Sequence, residues 1–142
     1  MKILVERKKK IASDWFELLQ SEIVNQFQLL EDEISKRNTK KTKIFIKREW
    51  KKNNKKEGGG TSYLLNDGEL FDKVGVNQST VSGQFEKTYR SKILGAEKNG
   101  RYWASGISVV AHMKNPKIPA FHFNTRFIVT SKEWFGGGMD AT

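Results

Sequence analysis

The fold is decided by residues 106–140, which read GISVVAHMKNPKIPAFHFNTRFIVTSKEWFGGGMD. Within this stretch, residues 107–112 and 121–129 are rich in β-branched and aromatic side chains, as strands are. The loop between them holds both prolines of the chain, and proline interrupts a ladder of backbone hydrogen bonds. The pattern predicts two antiparallel strands joined by a loop centred near Lys117.

Side-chain alternation sorts this pair of strands into an apolar face and a polar face. The odd-numbered positions are nearly all apolar, with Thr125 as their polar member, and are predicted to face the core. The even-numbered positions carry the groups capable of acid–base or ligand chemistry. These candidates are Ser108, His112, His122, Asn124 and Arg126.

The pairing of the two strands is a separate prediction. A loop symmetric about Lys117 sets His112 opposite His122 and Ser108 opposite Arg126. Directly opposed side chains in an antiparallel pair lie about 5 Å apart. The symmetric register therefore predicts that the two histidines face each other.

A third strand is predicted for the glycine-rich end of the stretch, after a turn at residues 131–133. Its simplest pairing sets Gly138 opposite Arg126 and Asp140 opposite Asn124. Glycine inside a strand often marks the close approach of another group to the backbone. The run of glycines therefore predicts an open floor rimmed by Arg126 and Asp140, suited to a flat anionic ligand. On the residues alone, the same two side chains equally fit a structural ion pair.

The N-terminal part of the chain carries a helical repeat. Apolar residues recur at helical spacing between Ile11 and Ile34, which is typical of an amphipathic helix. We assign residues 1–36 to this helix and expect it to cover one face of the sheet. The apolar stripe consists of Ile11, Trp15, Leu18, Leu19, Ile23, Phe27, Leu30 and Ile34.

Two further segments complete a single predicted domain. Residues 37–57 form a basic, polar segment with a strand-like piece at residues 43–46. Residues 58–142 form the sheet portion. Within it, the sequence predicts a tight turn at residues 66–68 and a short helix between residues 86 and 96.

Composition sets broad limits on location. The chain has 142 residues, enough for one ordinary domain, and contains no cysteine, which suits a reducing compartment. No apolar run reaches the length of a membrane span, and the charged N-terminus does not resemble a signal peptide. We therefore expect a cytoplasmic protein without a membrane span.

The net charge of +10 raises one alternative, a basic nucleic-acid-binding module. Trp50 lies in a basic segment and suits stacking on a base, although such an aromatic residue more commonly anchors in a core. The phenylalanines of residues 121–129 fall on the predicted core face, whereas an RNA-binding sheet exposes its aromatic residues. We therefore expect no nucleic-acid partner.

Several motifs, in their order along the chain, resemble a known family. His-Phe-Asn-x-Arg at residues 122–126 precedes Trp-Phe-Gly-Gly-Gly-x-Asp at residues 134–140, and further matching stretches lie at residues 58–62 and 67–79. From Trp50 onward, the chain resembles oxygen-dependent coproporphyrinogen-III oxidase of haem biosynthesis. The resemblance implies an α+β fold in which a large antiparallel sheet is flanked by helices.

The resemblance also implies a reaction and its partners. The reaction is the oxidative decarboxylation of two propionates of coproporphyrinogen III to vinyl groups, which yields protoporphyrinogen IX. Molecular oxygen is the oxidant, and no organic cofactor is required. The full-length members of the family are homodimers.

Roles for individual residues follow from the same resemblance. His122 matches the proton donor, and Asp140 matches an aspartate that faces the pyrrole N–H groups of the substrate. The positions that match substrate-binding residues are Ser108, Asn124, Thr125 and Arg126. His112 and His122 match divalent-metal ligands of bacterial relatives. The other histidine ligands of those relatives lie beyond residue 142, so the resemblance implies an incomplete metal site.

Two departures from the family pattern bear on activity. The match ends near Asp140, where family members continue for about as many residues again, so the chain corresponds to a truncated N-terminal half. We therefore expect it to be inactive alone. Tyr63 stands where many relatives have arginine, so the loss of a charge contact is expected.

Overall fold

A long helix lies across one face of an antiparallel sheet in this computed structural model, which describes residues 2–142. Its main elements are helix α1 (Lys2–Arg37), strands β1 (Ile46–Lys51), β2 (Gly58–Asn66) and β3 (Phe71–Gln84), helix α2 (Lys87–Arg90), and strands β4 (Arg101–Met113), β5 (Phe121–Val129) and β6 (Glu133–Ala141). Each strand pairs antiparallel with the next one in the chain. This arrangement confirms the predicted α+β class with a large antiparallel sheet.

Helix α1 contacts the sheet through a ridge that coincides only in part with the predicted stripe, at Leu19, Ile23 and Phe27. The ridge that packs on the core consists of Ala12, Phe16, Leu19, Ile23 and Phe27. Four residues of the predicted stripe are instead exposed, namely Ile11, Trp15, Leu18 and Leu30. The helix carries two apolar ridges, and spacing alone does not say which one packs. Within residues 2–142, no helix combines the length and apolar character needed to cross a membrane.

The odd-numbered positions of β4 and β5 face the core, as the alternation predicts. In β4, Ile107, Val109 and Ala111 are almost completely buried. In β5, Phe127 and Val129 are buried on the same side and belong to the same apolar cluster as the helix ridge. Burying one such large side chain contributes about 1.5–3 kcal/mol. This face therefore determines which side of the sheet the helix covers.

The register of β4 and β5 differs by two residues from the symmetric prediction, which was wrong. Ser108 pairs with Asn124 rather than with Arg126, and the two histidines are not opposed. The loop is asymmetric because the N–H of Ile118 donates to the carbonyl of Asn115, which closes a turn before the second proline. A shift of two residues leaves every side chain on its predicted face, since the side-chain period of a strand is two.

The pairing of β6 with β5 also differs by two residues from the predicted register. Asp140 pairs with His122, and the partner of Arg126 is Gly136. The turn before β6 closes within residues 130–132, earlier than the pairing predicted from the sequence requires. Asp140 therefore lies beside the histidine of β5, and the faces are again preserved.

The first strand begins later than its sequence suggests. Strand β1 spans Ile46–Lys51 and pairs with β2, whereas the predicted piece covers residues 43–46. The preceding chain is tied to α1, because Gln28 accepts from the N–H of Phe45 at 3.0 Å and donates to the carbonyl of Lys43 at 2.8 Å. The sheet therefore starts inside the basic segment. The short helix predicted between residues 86 and 96 is present only as α2, over Lys87–Arg90.

A buried carboxylate holds the predicted β2–β3 turn against α1. Glu31 is fully buried and accepts hydrogen bonds from the backbone N–H groups of Glu69, Leu70 and Phe71. A side chain on Gly68 would lie 2.6 Å from the Glu31 carboxylate, so glycine is required there. Backbone donors thus neutralise much of the cost of burying this charge.

Glu31→Ala is expected to lower the free energy of unfolding by about 3 kcal/mol, because buried backbone donors lose their acceptor. Glu33→Ala is the matched control, since this carboxylate of the same helix forms only an exposed ion pair with Arg37. The control should change stability little. Urea denaturation followed by circular dichroism compares the two variants, and equal losses would contradict the role assigned to Glu31.

Candidate functional site

The side of the sheet opposite α1, the open face, carries three rows of residues that run from β1 to β6. Members of a row are neighbours on adjacent strands, roughly 4.8 Å apart. The polar row contains Arg48, Ser62, Asn77, Ser108, Asn124 and Gly138. The glycine row contains Trp50, Gly60, Ser79, Gly106, Arg126 and Gly136. The histidine row contains Ile46, Leu64, Gly75, Val110, His122 and Asp140.

A shallow cavity of about 540 Å³ lies on the open face, mainly over the polar and glycine rows. The open-face candidates that line it are Ser108, His122, Asn124 and Arg126. His112 and Asp140, predicted to share the same concavity, are outside its lining. His112 lies near the end of β4, where the pairing with β3 is irregular, and Asp140 lies in the edge strand β6. The cavity therefore brings together part of the predicted site.

His122 lies between a hydroxyl group and a carboxylate. Its Nε2 atom is 3.5 Å from Ser108 Oγ, and its Nδ1 atom is 3.5 Å from Asp140 Oδ1. The side chain of His122 is 39% exposed and that of Asp140 is 62% exposed, so a ligand can reach both. When Nδ1–H points at the carboxylate, Nε2 is free to accept or return a proton. This arrangement suits a histidine that exchanges protons with a bound ligand.

Arg126 lies between two glycines of its own row, Gly106 and Gly136. A methyl group on Gly106 would lie 2.8 Å from Arg126 Cβ, and one on Gly136 would lie 3.7 Å from the guanidinium. Nη1 donates a hydrogen bond of 2.7 Å to Asn124 Oδ1. In the described part of the chain, Arg126 forms no ion pair within 4.0 Å, and Asp140 contacts the histidine instead. The remaining guanidinium donors are available to a ligand carboxylate.

Two other residues singled out in the sequence lie on the covered face. Thr125 pairs with the buried Ile107, so its side chain points to the α1 side and only its main chain borders the cavity. Tyr63 pairs with the buried Val76 and packs against the core. A ligand on the open face can therefore reach Thr125 only through its backbone. Having tyrosine at position 63 therefore affects packing on the core side of the sheet rather than the lining of the cavity.

The two histidines do not make a metal site with the residues present. In the part of the chain that the structure describes, no group of three or more histidine, cysteine, aspartate or glutamate side chains is placed to hold a metal ion. Protein metal sites commonly use at least three such ligands. His112 also lies away from the cavity. The described residues therefore do not by themselves bring three metal ligands together.

The cavity contains residues that the sequence reasoning did not single out. Ser62, Asn77 and Ser79 line it from β2 and β3. A signal was present, because Asn77 and Ser79 alternate with the buried Val76. Such period-two alternation indicates a strand with one buried face and one open face.

This polar open face, backed by a helix-covered core, defines an α+β domain with a candidate ligand site on one side of its sheet. The family model described as coproporphyrinogen III oxidase matches residues 11–142. The chain belongs to the coproporphyrinogen III oxidase family.

Curated relatives carry the same description. The chain is 50% identical over 135 residues to the oxygen-dependent coproporphyrinogen-III oxidase of Rickettsia typhi, a match covering 94% of the chain and 47% of the relative. It is 45% identical over 137 residues to the protein of that name from Rickettsia bellii strain OSU 85-389, covering 96% of the chain and 48% of the relative. The chain thus spans about half the length of the curated relatives it matches.

Proposed function

We propose that the open face binds coproporphyrinogen III and supplies part of the site for its oxygen-dependent oxidative decarboxylation to protoporphyrinogen IX. The observation that carries the proposal is the position of Arg126 and His122 on one face, lining one cavity. A guanidinium suits a propionate carboxylate, and an imidazole suits proton exchange. The shared name of the relatives indicates the reaction.

Arg126 positions the substrate in this proposal. Its guanidinium binds one propionate carboxylate through parallel N–H donors, and the hydrogen bond to Asn124 holds the guanidinium in place. Ser108 lies opposite Asn124 and presents its hydroxyl to the same ligand. Holding the propionate in one orientation lowers the barrier, because the bound group no longer has to find its reactive geometry.

His122 carries the proton chemistry. Each propionate that becomes a vinyl group loses carbon dioxide, a proton and two electrons, and molecular oxygen accepts the electrons. Nε2 of His122 exchanges the proton, while the carboxylate of Asp140 orients the ring through Nδ1. A carboxylate accepts several hydrogen bonds, so Asp140 also accepts hydrogen bonds from pyrrole N–H groups of the macrocycle.

The remaining parts of the proposal concern cofactors, location and assembly. Molecular oxygen serves as oxidant, and we propose no organic cofactor and no metal ion held by this chain. A cytoplasmic location is supported by a sequence without cysteine, which suits a reducing compartment. With the rest of the fold present, the protein is proposed to form a homodimer, as the family resemblance implies.

The purified chain is expected to bind coproporphyrin III, the oxidised and air-stable form of the ligand, in a saturable manner. The tetramethyl ester keeps the macrocycle but has no carboxylates, so it should bind at least about tenfold more weakly. Absorbance titrations measure both affinities. Equal affinity for acid and ester would contradict carboxylate recognition, and the absence of saturable binding would contradict the proposed function.

Nucleic acid remains the competing ligand because of the net charge of +10. The phenylalanines of β5 lie on the covered face, where Phe127 is buried and Phe121 and Phe123 pack against the core. They are therefore unavailable for stacking on bases. RNA titrations at low and high salt test the alternative. A salt-dependent complex that coproporphyrin III does not displace would favour nucleic acid.

A further inference from the structure

Trp50 occupies an unusual position for a large aromatic side chain. It belongs to the edge strand β1, lies on the open face, and is 44% exposed. It is outside the apolar core cluster of the described residues. The expectation that this residue anchors in the core is therefore wrong, and packing in the core does not explain it.

The indole of Trp50 lies close to the backbone of Gly60. A Cβ atom added to Gly60 would lie 2.4 Å from the carbonyl oxygen of Gln78 and 2.9 Å from both Cε2 and Cζ2 of the ring. Contacts this short are not tolerated, so any larger residue at this position would displace both the neighbouring backbone of β3 and the ring. Gly60 is thus the neighbour that allows the ring to rest on the backbone of β2.

The ring and the guanidinium of Arg126 belong to the same row, and both residues line the same cavity. The residues between them are small, namely Gly60, Ser79 and Gly106. Strands β1 and β5 are separated by four strand spacings, roughly 19 Å, and the indole leans inward over β2. The row is therefore a trough with an aromatic wall at one end and a cation at the other.

We propose that Trp50 is a substrate-contact residue whose indole packs against the apolar macrocycle while Arg126 holds a propionate at the far end of the trough. This inference rests on the proposed function and adds a second anchor to it. An aromatic ring buries a large apolar area at little conformational cost. Two anchors at opposite ends also fix the orientation of a flat ligand, which one carboxylate clamp cannot do.

The test measures the affinity for coproporphyrin III in four variants. Trp50→Ala should weaken binding about tenfold, and Trp50→Phe should retain most of the affinity because it keeps an aromatic surface. Gly60→Ala should also weaken binding, because its added methyl group displaces both the ring and the Gln78 carbonyl of β3. Gly75→Ala is the control for a methyl group on the open face, since its added Cβ meets neighbours only at 3.4 and 3.5 Å and lies outside the cavity.

A spectroscopic signal completes the test. Ligand binding should quench the wild-type tryptophan fluorescence more than that of Trp50→Phe. Circular dichroism confirms that each variant is folded.

The outcomes separate this inference from the proposed function. Binding by the wild type with unchanged affinity in Trp50→Ala and Trp50→Phe would overturn the role of Trp50 and leave the proposed function standing. No binding by the wild type would overturn both proposals.

Discussion

Replacing Arg126 by alanine is expected to weaken the binding of coproporphyrin III by about 10- to 100-fold. A hydrogen bond to a charged group contributes about 1.5–3 kcal/mol, and each 1.4 kcal/mol changes the affinity tenfold. Arg126 lines the cavity without an ion-pair partner in the described residues, so the ligand carboxylate supplies that partner. Isothermal titration calorimetry with wild type and variant measures the loss.

Two control variants show whether the loss reflects geometry or overall charge. Arg126→Lys keeps the charge but not the planar fork, so its affinity should fall between those of wild type and Arg126→Ala. Arg48→Ala removes an arginine from the edge of the same face, outside the cavity lining, and should change the affinity less than about threefold. Equal losses in Arg126→Ala and Arg48→Ala would mean that Arg126 acts only through the basic surface.

The sorting of Arg126 and His122 onto one face could be predicted from the sequence, but their neighbours could not. Faces depend only on the period of two along a strand, which local residue types reveal. Register depends on loop geometry. The hydrogen bond from the N–H of Ile118 to the carbonyl of Asn115 shifts the pairing of β4 with β5 by two residues. The composition of the loop does not reveal this bond. The turn at residues 130–132 shifts the pairing of β5 with β6 in the same way, so Asp140 pairs with His122 instead of Asn124.

Helix α1 shows a second limit of sequence reasoning. Its existence follows from a strong apolar repeat, but Ile11, Trp15 and Leu18 are exposed while Phe16 is buried. Two apolar ridges on one helix have similar local patterns, and the shape of the sheet decides which one packs. Glu31 illustrates the same point, because its acceptor role depends on a turn distant in sequence.

The position of Trp50 also depends on long-range contacts that its local sequence does not reveal. Its sequence context places it in a basic segment, which is compatible with either a core or a surface position. The pairing with Gly60 places it on the open face, and that pairing depends on where β1 begins. The bond network of Gln28 with residues 43–45 sets this start, so the position of the ring becomes clear only in three dimensions.

The chain alone is expected to convert no measurable coproporphyrinogen III to protoporphyrinogen IX. A decarboxylating site must exclude water and hold the propionate against its acid–base group. The cavity is instead shallow and open, and the side chains of His122 and Asp140 remain exposed. The chain spans about half the length of its curated relatives. Aerobic incubation followed by porphyrin fluorescence after oxidation measures turnover.

Apolar surface on the covered side gives an independent reason to expect dependence on a second polypeptide. Ile11 and Trp15 of α1 and Phe135 of β6 are each more than half exposed and border a cavity of about 440 Å³. Clustered apolar exposure of this kind marks an interaction site or causes self-association. Sedimentation velocity should therefore show concentration-dependent association of the chain alone. Adding a polypeptide equivalent to the unmatched half of the Rickettsia typhi relative should suppress that association and restore turnover. Turnover by the purified chain without any addition would show that the open face is already a complete active site.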